Sequence, residues 1–196
     1  MQYYNQASSK IKKYLEKYQS LILLIGLAGC GKTTLVMDLI KKSRQKTTRI
    51  TKTTRVCLDS IITMESGYNY DLELRNFYRE LELVMVKKSL DNGYNLIVDD
   101  TNITKEIRKT FIELGKQYQN IQTIGIYFNI PIEICIKRRL DDSLLRLREE
   151  YSKKAYWSDI IKKQSNMMEK PSLTEGFDIL FELDENSRVK VYKNST

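Results

Sequence analysis

The chain has 196 residues, 41% of them hydrophobic, with 33 Lys and Arg against 25 Asp and Glu for a formal charge of +8. This suits one domain able to bury a proper core, and two Pro, eight Gly and no low-complexity stretch exclude collagen-like, linker-rich and disordered classes. No His is present, which removes Ser-His-Asp and Cys-His nucleophiles and imidazole metal ligands and leaves Asp or Glu as any general base.

From the N-terminus, Ile11, Leu15 and Tyr18, with Tyr14 alongside, fall at helical spacing among Lys10, Lys12, Lys13 and Lys17. The pattern predicts an amphipathic helix within residues 1–20, packed outside the core, ahead of a main domain over 21–196. Leu21–Ile25 is a continuous apolar run, as a parallel strand buried on both faces requires, and far short of the roughly 20 residues of a membrane span. A helix is expected from Lys32. Seven basic residues and no acidic one lie between Lys41 and Arg55 (Lys41, Lys42, Arg44, Lys46, Arg49, Lys52, Arg55), and a short strand follows near Arg55–Leu58.

Over Asp71–Leu90, the positions Leu74, Phe77, Leu81, Val84 and Met85 repeat at three and four, predicting a long helix stopped by Asn92-Gly93. Leu96–Val98 is the next strand, closing on Asp99-Asp100-Thr101-Asn102, and Thr104 N-caps a helix bearing Ile107, Phe111 and Leu114. Thr123–Phe128 reads as a strand. Pro131 at position N1 opens a helix with Ile132, Ile134, Cys135 and Ile136 that runs into an Arg-rich segment ending near Glu150. A helix over Ser152–Glu169 precedes Pro171, and Phe177–Leu183 and Val189–Tyr192 form a last strand and an edge hairpin around Asp184–Ser187. Strands alternating with helices predict an α/β sandwich of three layers around a mostly parallel sheet.

Cys30, Cys57 and Cys135 are far apart and never in a C-x-x-C pair, so neither zinc nor a disulfide framework is indicated, and a reduced, cytoplasmic setting is expected. The sharpest local signal is Gly26-Leu-Ala-Gly29-Cys-Gly31-Lys32-Thr33, which fills G-x-x-x-x-G-K-[ST] between a strand and a helix. In such a loop the backbone from Gly26 through Ala28, Gly29, Cys30, Gly31, Lys32, Thr33 and Thr34 wraps the phosphates of a nucleoside triphosphate at a helix N-terminus. Lys32 reaches the β and γ phosphates and the Thr33 hydroxyl ligates Mg²⁺, so ATP and Mg²⁺ are the implied cofactors. Cys30 reads as a small filler whose place predicts sensitivity to thiol reagents.

A phosphate-binding loop alone suits a kinase, a GTP switch or a hydrolytic motor. A motor strand closes on Asp-Glu where this one closes on Asp99-Asp100, and no Asn-Lys-x-Asp guanine reader is present, which leaves kinase as the leading class. The loop G-L-A-G-C-G-K-T-T, the D-D-T-N box with Arg108 six residues after Asn102, P-I-E-I-C-I-K-R-R from Pro131 and K-P-S-L-T-E-G-F-D from Lys170 together resemble the P-loop kinases of the polynucleotide 5′-kinase type. The resemblance spans residues 21 to about 183 and implies a five-stranded sheet in the order 2-3-1-4-5 with an Arg-bearing helical lid.

By that resemblance Asp59 is the general base that takes the proton of a 5′-hydroxyl as it attacks the γ phosphate; read from the residues alone, Asp59 also suits the cap of a following helix. Asp100 matches the carboxylate of the D-T-N box, which helps hold the metal and orient the acceptor, with Thr101 and Asn102 placed to contact the acceptor and Asp99 structural. Arg138 matches the first lid arginine, which closes over ATP and neutralises γ phosphate charge. The second family arginine falls on Asp142, leaving Arg139, Arg146 and Arg148 as lid candidates or as a solvated face laced with Asp141, Asp142, Glu149 and Glu150. The family arginine that holds the acceptor phosphate, three residues beyond the base, falls on Ile62, and Arg55 or the basic run before it is the substitute.

That basic run favours a polyanionic acceptor, and thirteen Tyr offer stacking surfaces, Tyr68 and Tyr70 first among them. The leading expectation is transfer of the γ phosphate of ATP to the 5′-OH end of RNA or DNA, with no membrane partner. The alternatives are a kinase acting on a small molecule, a charged tRNA or a nucleotide sugar in the manner of the zeta-type toxins, or a non-catalytic ATP-dependent binding module working through the N-terminal helix.

Overall fold

A computed structural model describes residues 5–15, 17–44, 52–67, 71–141 and 154–193. Its centre is strand β1 (Gln19–Ile25), buried along nearly its whole length because strands flank both edges and helices cover both faces. With β2 (Thr53–Val56), β3 (Asn95–Val98), β4 (Ile121–Phe128), β5 (Ile179–Leu183) and β6 (Val189–Lys193) the sheet order is β2-β3-β1-β4-β5-β6. The first five strands are parallel in the expected order. The edge hairpin expected at Val189–Tyr192 is β6, antiparallel to β5, and it brings the sheet to six strands where the resemblance implied five. The reversal is made by Asp184, whose Oδ1 accepts from the amides of Asn186 and Arg188 at 3.0 and 2.8 Å, and by Ser187 at φ 61°.

Alternation along β1 divides the core. Ile22 and Leu24 pack with α1 (Asn5–Leu15), α2 (Lys32–Arg44), α6 (Ile132–Leu140) and α7 (Lys154–Met167). Leu21, Leu23 and Ile25 point to the other face, against α3 (Leu58–Ser66), α4 (Arg75–Asp91) and α5 (Lys105–Lys116). Contrary to the expectation of a helix outside the core, α1 buries Ala7, Ile11 and Leu15 within the first of these clusters and keeps Lys10 and Lys13 outward. Asn95 ties it in, donating from Nδ2 to the carbonyl of Leu15 at 3.1 Å while its Oδ1 accepts from the amide of Ser20 at 2.9 Å.

Helix α4 is rotated from the face its apolar repeat suggests, and of that repeat Leu81 packs against the core. Tyr78, Glu82, Val86 and Leu90 are buried, whereas Phe77, Val84 and Met85 lie on the solvent side. A carboxylate takes a core position because it has a cation on its own helix, Arg79, described below. Helix α3 is an element that the periodicity did not announce. Pro131 sits at the N-cap of α6 rather than at N1, and α6 ends at Leu140, with Arg146 and Arg148 outside the described residues, as are Tyr68 and Tyr70. Thr104 caps α5 as expected, its side chain accepting from the amide of Ile107 at 3.4 Å. No helix among the described residues is long and apolar enough to cross a membrane.

The Lys170–Asp178 run closes the far side of α5. Arg108, 0% exposed, donates to both carboxylate oxygens of Glu175 at 2.6 and 2.9 Å and to the carbonyls of Asn102 and Ile103 at 3.0 and 3.1 Å. Glu175 also completes a capping box with Ser172. Arg108→Ala removes four donated bonds and strands a carboxylate, an expected cost of about 3 kcal/mol or more and a fall of about 10 °C in Tm by thermal unfolding. A Tm within about 2 °C of the parent would refute this account of the anchor.

Candidate active site

The site forms where β1 and β3 end side by side. The amide of Gly26 donates to the carbonyl of Thr101 at 3.0 Å, and Asn102 Nδ2 donates to the carbonyl of Leu24 at 2.8 Å. These two bonds strap the phosphate-binding loop to the D-D-T-N box. They also correct one expectation: Asn102, at φ 45° and buried, points into the fold and holds β1, so it is not placed to contact an acceptor, whereas Thr101 lines the cavity.

Within the loop Gly29 has φ 80°, and a Cβ there would collide with the carbonyl of Cys135 on α6, so both conformation and space demand glycine. The amide of Ala28 donates to Gln164 Oε1 on α7 at 2.8 Å, and Arg138 Nη1 donates to the carbonyl of Cys30 at 3.2 Å. Lys32 Nζ is folded back onto the loop, donating to the carbonyls of Gly26 and Leu27 at 2.9 and 2.8 Å. Cys30 is fully buried, its Sγ 3.7 Å from Lys32 Nζ, and burial pushes its thiol up. The expected sensitivity of Cys30 to thiol reagents is therefore not supported, because the thiol is neither reachable nor ionised.

Around this loop lies a cavity of about 910 Å³. Ala28, Gly29, Gly31, Lys32, Thr33 and Thr34 line it from the loop, Arg55, Asp59, Arg79, Asp99, Asp100 and Thr101 from the β2, β3, α3 and α4 side, and Arg138, Arg139, Trp157 and Gln164 from α6 and α7. Gly26, Cys30 and Asn102 shape the wall without lining it. Arg139 stacks its guanidinium 3.9 Å from the centre of the Trp157 ring.

Asp59 stands in the first turn of α3, but the N-cap of that helix is Cys57, so the capping alternative for Asp59 does not hold. Its carboxyl is reachable by solvent yet walled in by the cavity. Desolvation and then the charge of Asp100 push its pKa up, while Arg139 and Lys32 pull it down. Asp99 accepts Arg55 Nε at 2.7 Å, so the proposed acceptor contact Arg55 is already half-spent on a buried carboxylate. Ile62 lies on the inward face of α3, buried.

Asp100 accepts the amide of Leu58 on Oδ1 at 3.0 Å, and its Oδ2 lies 3.9 Å from Arg79 Nη1. Arg79 Nη1 also donates to Glu82 Oε2 at 2.6 Å. Burial and the neighbouring Glu82 carboxyl raise the Asp100 pKa well above the usual carboxylate range. Arg79, Glu82, Trp157 and Gln164 were not found from the sequence; only the Arg79/Glu82 spacing of three was there to read, and it looks like any surface ion pair.

Asp99 Oδ1 and Asp100 Oδ2 are buried acceptors without a hydrogen-bond donor, in the same cavity as the Thr33 hydroxyl. Such hard oxygen donors fit Mg²⁺, which uses one or two protein oxygens beside substrate phosphates. Among the described residues no cluster of three or more His, Cys, Asp or Glu is placed to hold a metal by itself.

A carboxyl whose pKa is raised on folding binds more protons in the native state, so stability falls as pH rises through that raised value. Asp100→Asn keeps the oxygen that accepts from Leu58 and removes the repulsion with Glu82. In Mg²⁺-free buffer this variant is expected to have a higher Tm at neutral pH and to lose part of the decline in Tm that sets in as pH rises above the ordinary carboxylate value of about 4. An unchanged Tm–pH curve would contradict the coupling.

The sequence model of the AAA domain family AAA_33 matches residues 21–155. The L-seryl-tRNA(Sec) kinase of Methanococcus maripaludis is 23% identical over 180 residues, 87% of this chain and 68% of that protein. Among solved structures, Kti12 of Chaetomium thermophilum in complex with ADP-AlF3 superposes with a TM-score of 0.61 at 18% identity, over 84% of this chain and 89% of the other. A chain of the Pnkp1/Rnl/Hen1 RNA repair complex superposes with a TM-score of 0.52 at 24% identity, over 76% of this chain but 45% of the other, so this chain spans less than half of it. With the family match running from β1 to the start of α7 and the loop, strand order and cavity in place, the chain belongs to the AAA domain family AAA_33 on the α/β fold of the P-loop kinases.

Proposed function

We propose that the chain is an ATP-dependent phosphotransferase whose acceptor is the 5′-OH end of RNA or DNA. The observation that carries this reading is Asp59, a solvent-reachable carboxylate that lines the same cavity as Lys32 and Thr33 in a protein without histidine. ATP is the donor. Lys32 exchanges the carbonyls of Gly26 and Leu27 for phosphate oxygens, and the amides at the start of α2 meet the β phosphate. Arg138, tethered to the carbonyl of Cys30, lies close enough to the loop to offset charge on the γ phosphoryl group. Asp59 accepts the hydroxyl proton as the acceptor oxygen bonds to the γ phosphorus and the bond to the bridging oxygen breaks, releasing ADP. Mg²⁺, held by Thr33 and Asp100, supplies charge neutralisation across the phosphates when bound.

The names of two relatives concern RNA, which supports a nucleic-acid acceptor. The seryl-tRNA(Sec) kinase match over 87% of the chain favours a second reading, in which the acceptor hydroxyl belongs to the aminoacyl group of a charged tRNA. The buried cysteines, far apart in the chain and never in a C-x-x-C pair, support a reducing cytoplasmic setting.

Transfer of the labelled γ phosphate of ATP to 5′-hydroxyl oligonucleotides, charged and uncharged tRNA, nucleosides and nucleotide sugars separates these readings. Lys32→Ala should lose both ATP binding and transfer, and Asp59→Asn should lose transfer by about 10²- to 10⁴-fold while binding ATP. Full transfer by Asp59→Asn would remove the base assignment, and ATP binding with no acceptor labelled would leave a binding module. Because Asp59 works deprotonated, activity vanishes as pH falls through its raised pKa. The acid limb of kcat/KM should therefore lie above the ordinary carboxylate value of about 4, and Arg139→Gln, which removes a cation that lowers that pKa, should move it higher still. A limb that stays in place in Arg139→Gln would assign the titration to another group.

A further inference from the structure

Helix α4 brings to the acceptor half of the cavity a cation that no motif signals. Both positions expected to hold an acceptor phosphate are committed elsewhere. Ile62 is apolar and buried among Ile61, Tyr78 and the sheet. Arg55 gives Nε to Asp99 at 2.7 Å and Nη1 to Ser60 Oγ at 3.4 Å, leaving its side chain 24% exposed. The carboxyl groups of Asp59, Asp99 and Asp100 line the same half, so a phosphodiester there meets repulsion unless a further cation faces it.

Arg79 meets that need. Its side chain is 37% exposed and lines the cavity, while Glu82, at 0%, fixes one corner of the guanidinium through Nη1 at 2.6 Å. Its Nε and Nη2 groups carry no hydrogen bond among the described residues. A guanidinium anchored on one side by a buried anion presents its remaining donors in a fixed fork, the geometry that matches two phosphate oxygens.

We propose that Arg79 is the acceptor-side phosphate ligand, donating from its unpaired N–H groups to the phosphodiester that follows the 5′-terminal nucleoside of the acceptor. Arg79 has this role only if the acceptor is a nucleic acid, as proposed above.

The test changes the substrate as well as the protein. The phosphodiester nearest the 5′-OH of a short oligonucleotide is replaced by a neutral methylphosphonate, and kcat/KM is measured with both acceptors for the wild type and Arg79→Lys. Lysine keeps a charge beside Glu82, and an unchanged KM for ATP together with a Tm near the parent's shows that the fold and the donor site are intact. If Arg79→Lys proves unstable, Arg79→Lys with Glu82→Gln, which lifts the buried charge, takes its place.

The wild type is expected to lose roughly tenfold or more on the methylphosphonate. Arg79→Lys should lose about as much on the native oligonucleotide and less than about twofold further on the methylphosphonate. A full methylphosphonate penalty retained in the variant, or no penalty in the wild type, overturns the assignment of Arg79. A wild type that labels no oligonucleotide at all fails the nucleic-acid reading itself, before any variant is made, and the assignment falls with it.

Discussion

Parallel pairing of β1 with β3, Leu21 opposite Leu96 through Leu23 opposite Val98, is the constraint on which the site depends. Parallel neighbours end at the same edge of the sheet, so the chain leaving β1 as a glycine loop and the chain leaving β3 as two aspartates emerge side by side. The bonds from Gly26 to Thr101 and from Asn102 to Leu24 then lock one exit to the other. Nothing in either segment alone creates a catalytic arrangement. Lys32 and Asp100 lie 68 residues apart in the chain and meet because hydrophobic burial on both faces of β1 fixes the register.

The half of the cavity lined from β2, β3, α3 and α4 is expensive to fold. It buries Glu82 and Asp99 and nearly buries Asp100, and two arginines, Arg55 and Arg79, face this acidic group. A fold selected for stability alone would replace such a group with packed apolar side chains at little cost. Its place beside the phosphate-binding loop fits the proposed site, which has to hold a cation and steer a hydroxyl, where charge arranged in advance reduces the reorganisation needed during reaction. Arg108 and Glu175 show the contrast. That pair is also buried and bidentate, but it lies outside the cavity lining and serves to hold the Lys170–Asp178 run against α5.

What was legible in the sequence was what local physics decides. The glycine loop was readable because φ at Gly29 and Gly31 and the close approach of α6 admit little else. The cap at Thr104 and the turn at Asp184–Ser187 rest on side chains bonding to amides two to four residues away. The inward face of α4 is not readable, because apolar periodicity treats a glutamate as a surface residue, its pairing with Arg79 three residues before looks like a surface ion pair, and only tertiary context supplies Asp100 as a neighbour. Asn102 is hard to place from sequence for a related reason. A polar residue in a loop next to a site looks like a ligand contact until its left-handed φ turns the amide onto Leu24. Gln164 reaches the loop and Trp157 the cavity wall from α7, more than a hundred residues on, and no spacing rule connects them to the site.

The loop therefore owes its shape to its surroundings as much as to its glycines. Three different elements grip it: Thr101 after β3 holds the amide of Gly26, Gln164 of α7 holds that of Ala28, and Arg138 of α6 holds the carbonyl of Cys30. Lys32 rests on two carbonyls of the same loop, so its charge is satisfied before any ligand arrives and phosphate binding is an exchange of partners. An exchange of this kind discriminates. A ligand has to offer Lys32 more than two neutral carbonyls do, and a polyanion such as a triphosphate meets that condition where a neutral molecule does not. The helices that grip the loop also carry Arg139 and Trp157 into the cavity, so a shift of α6 or α7 alters the loop and the cavity wall together. The opposite wall of the cavity rests on other contacts, with α4 packed on β2 and β3 and α3 packed on α4.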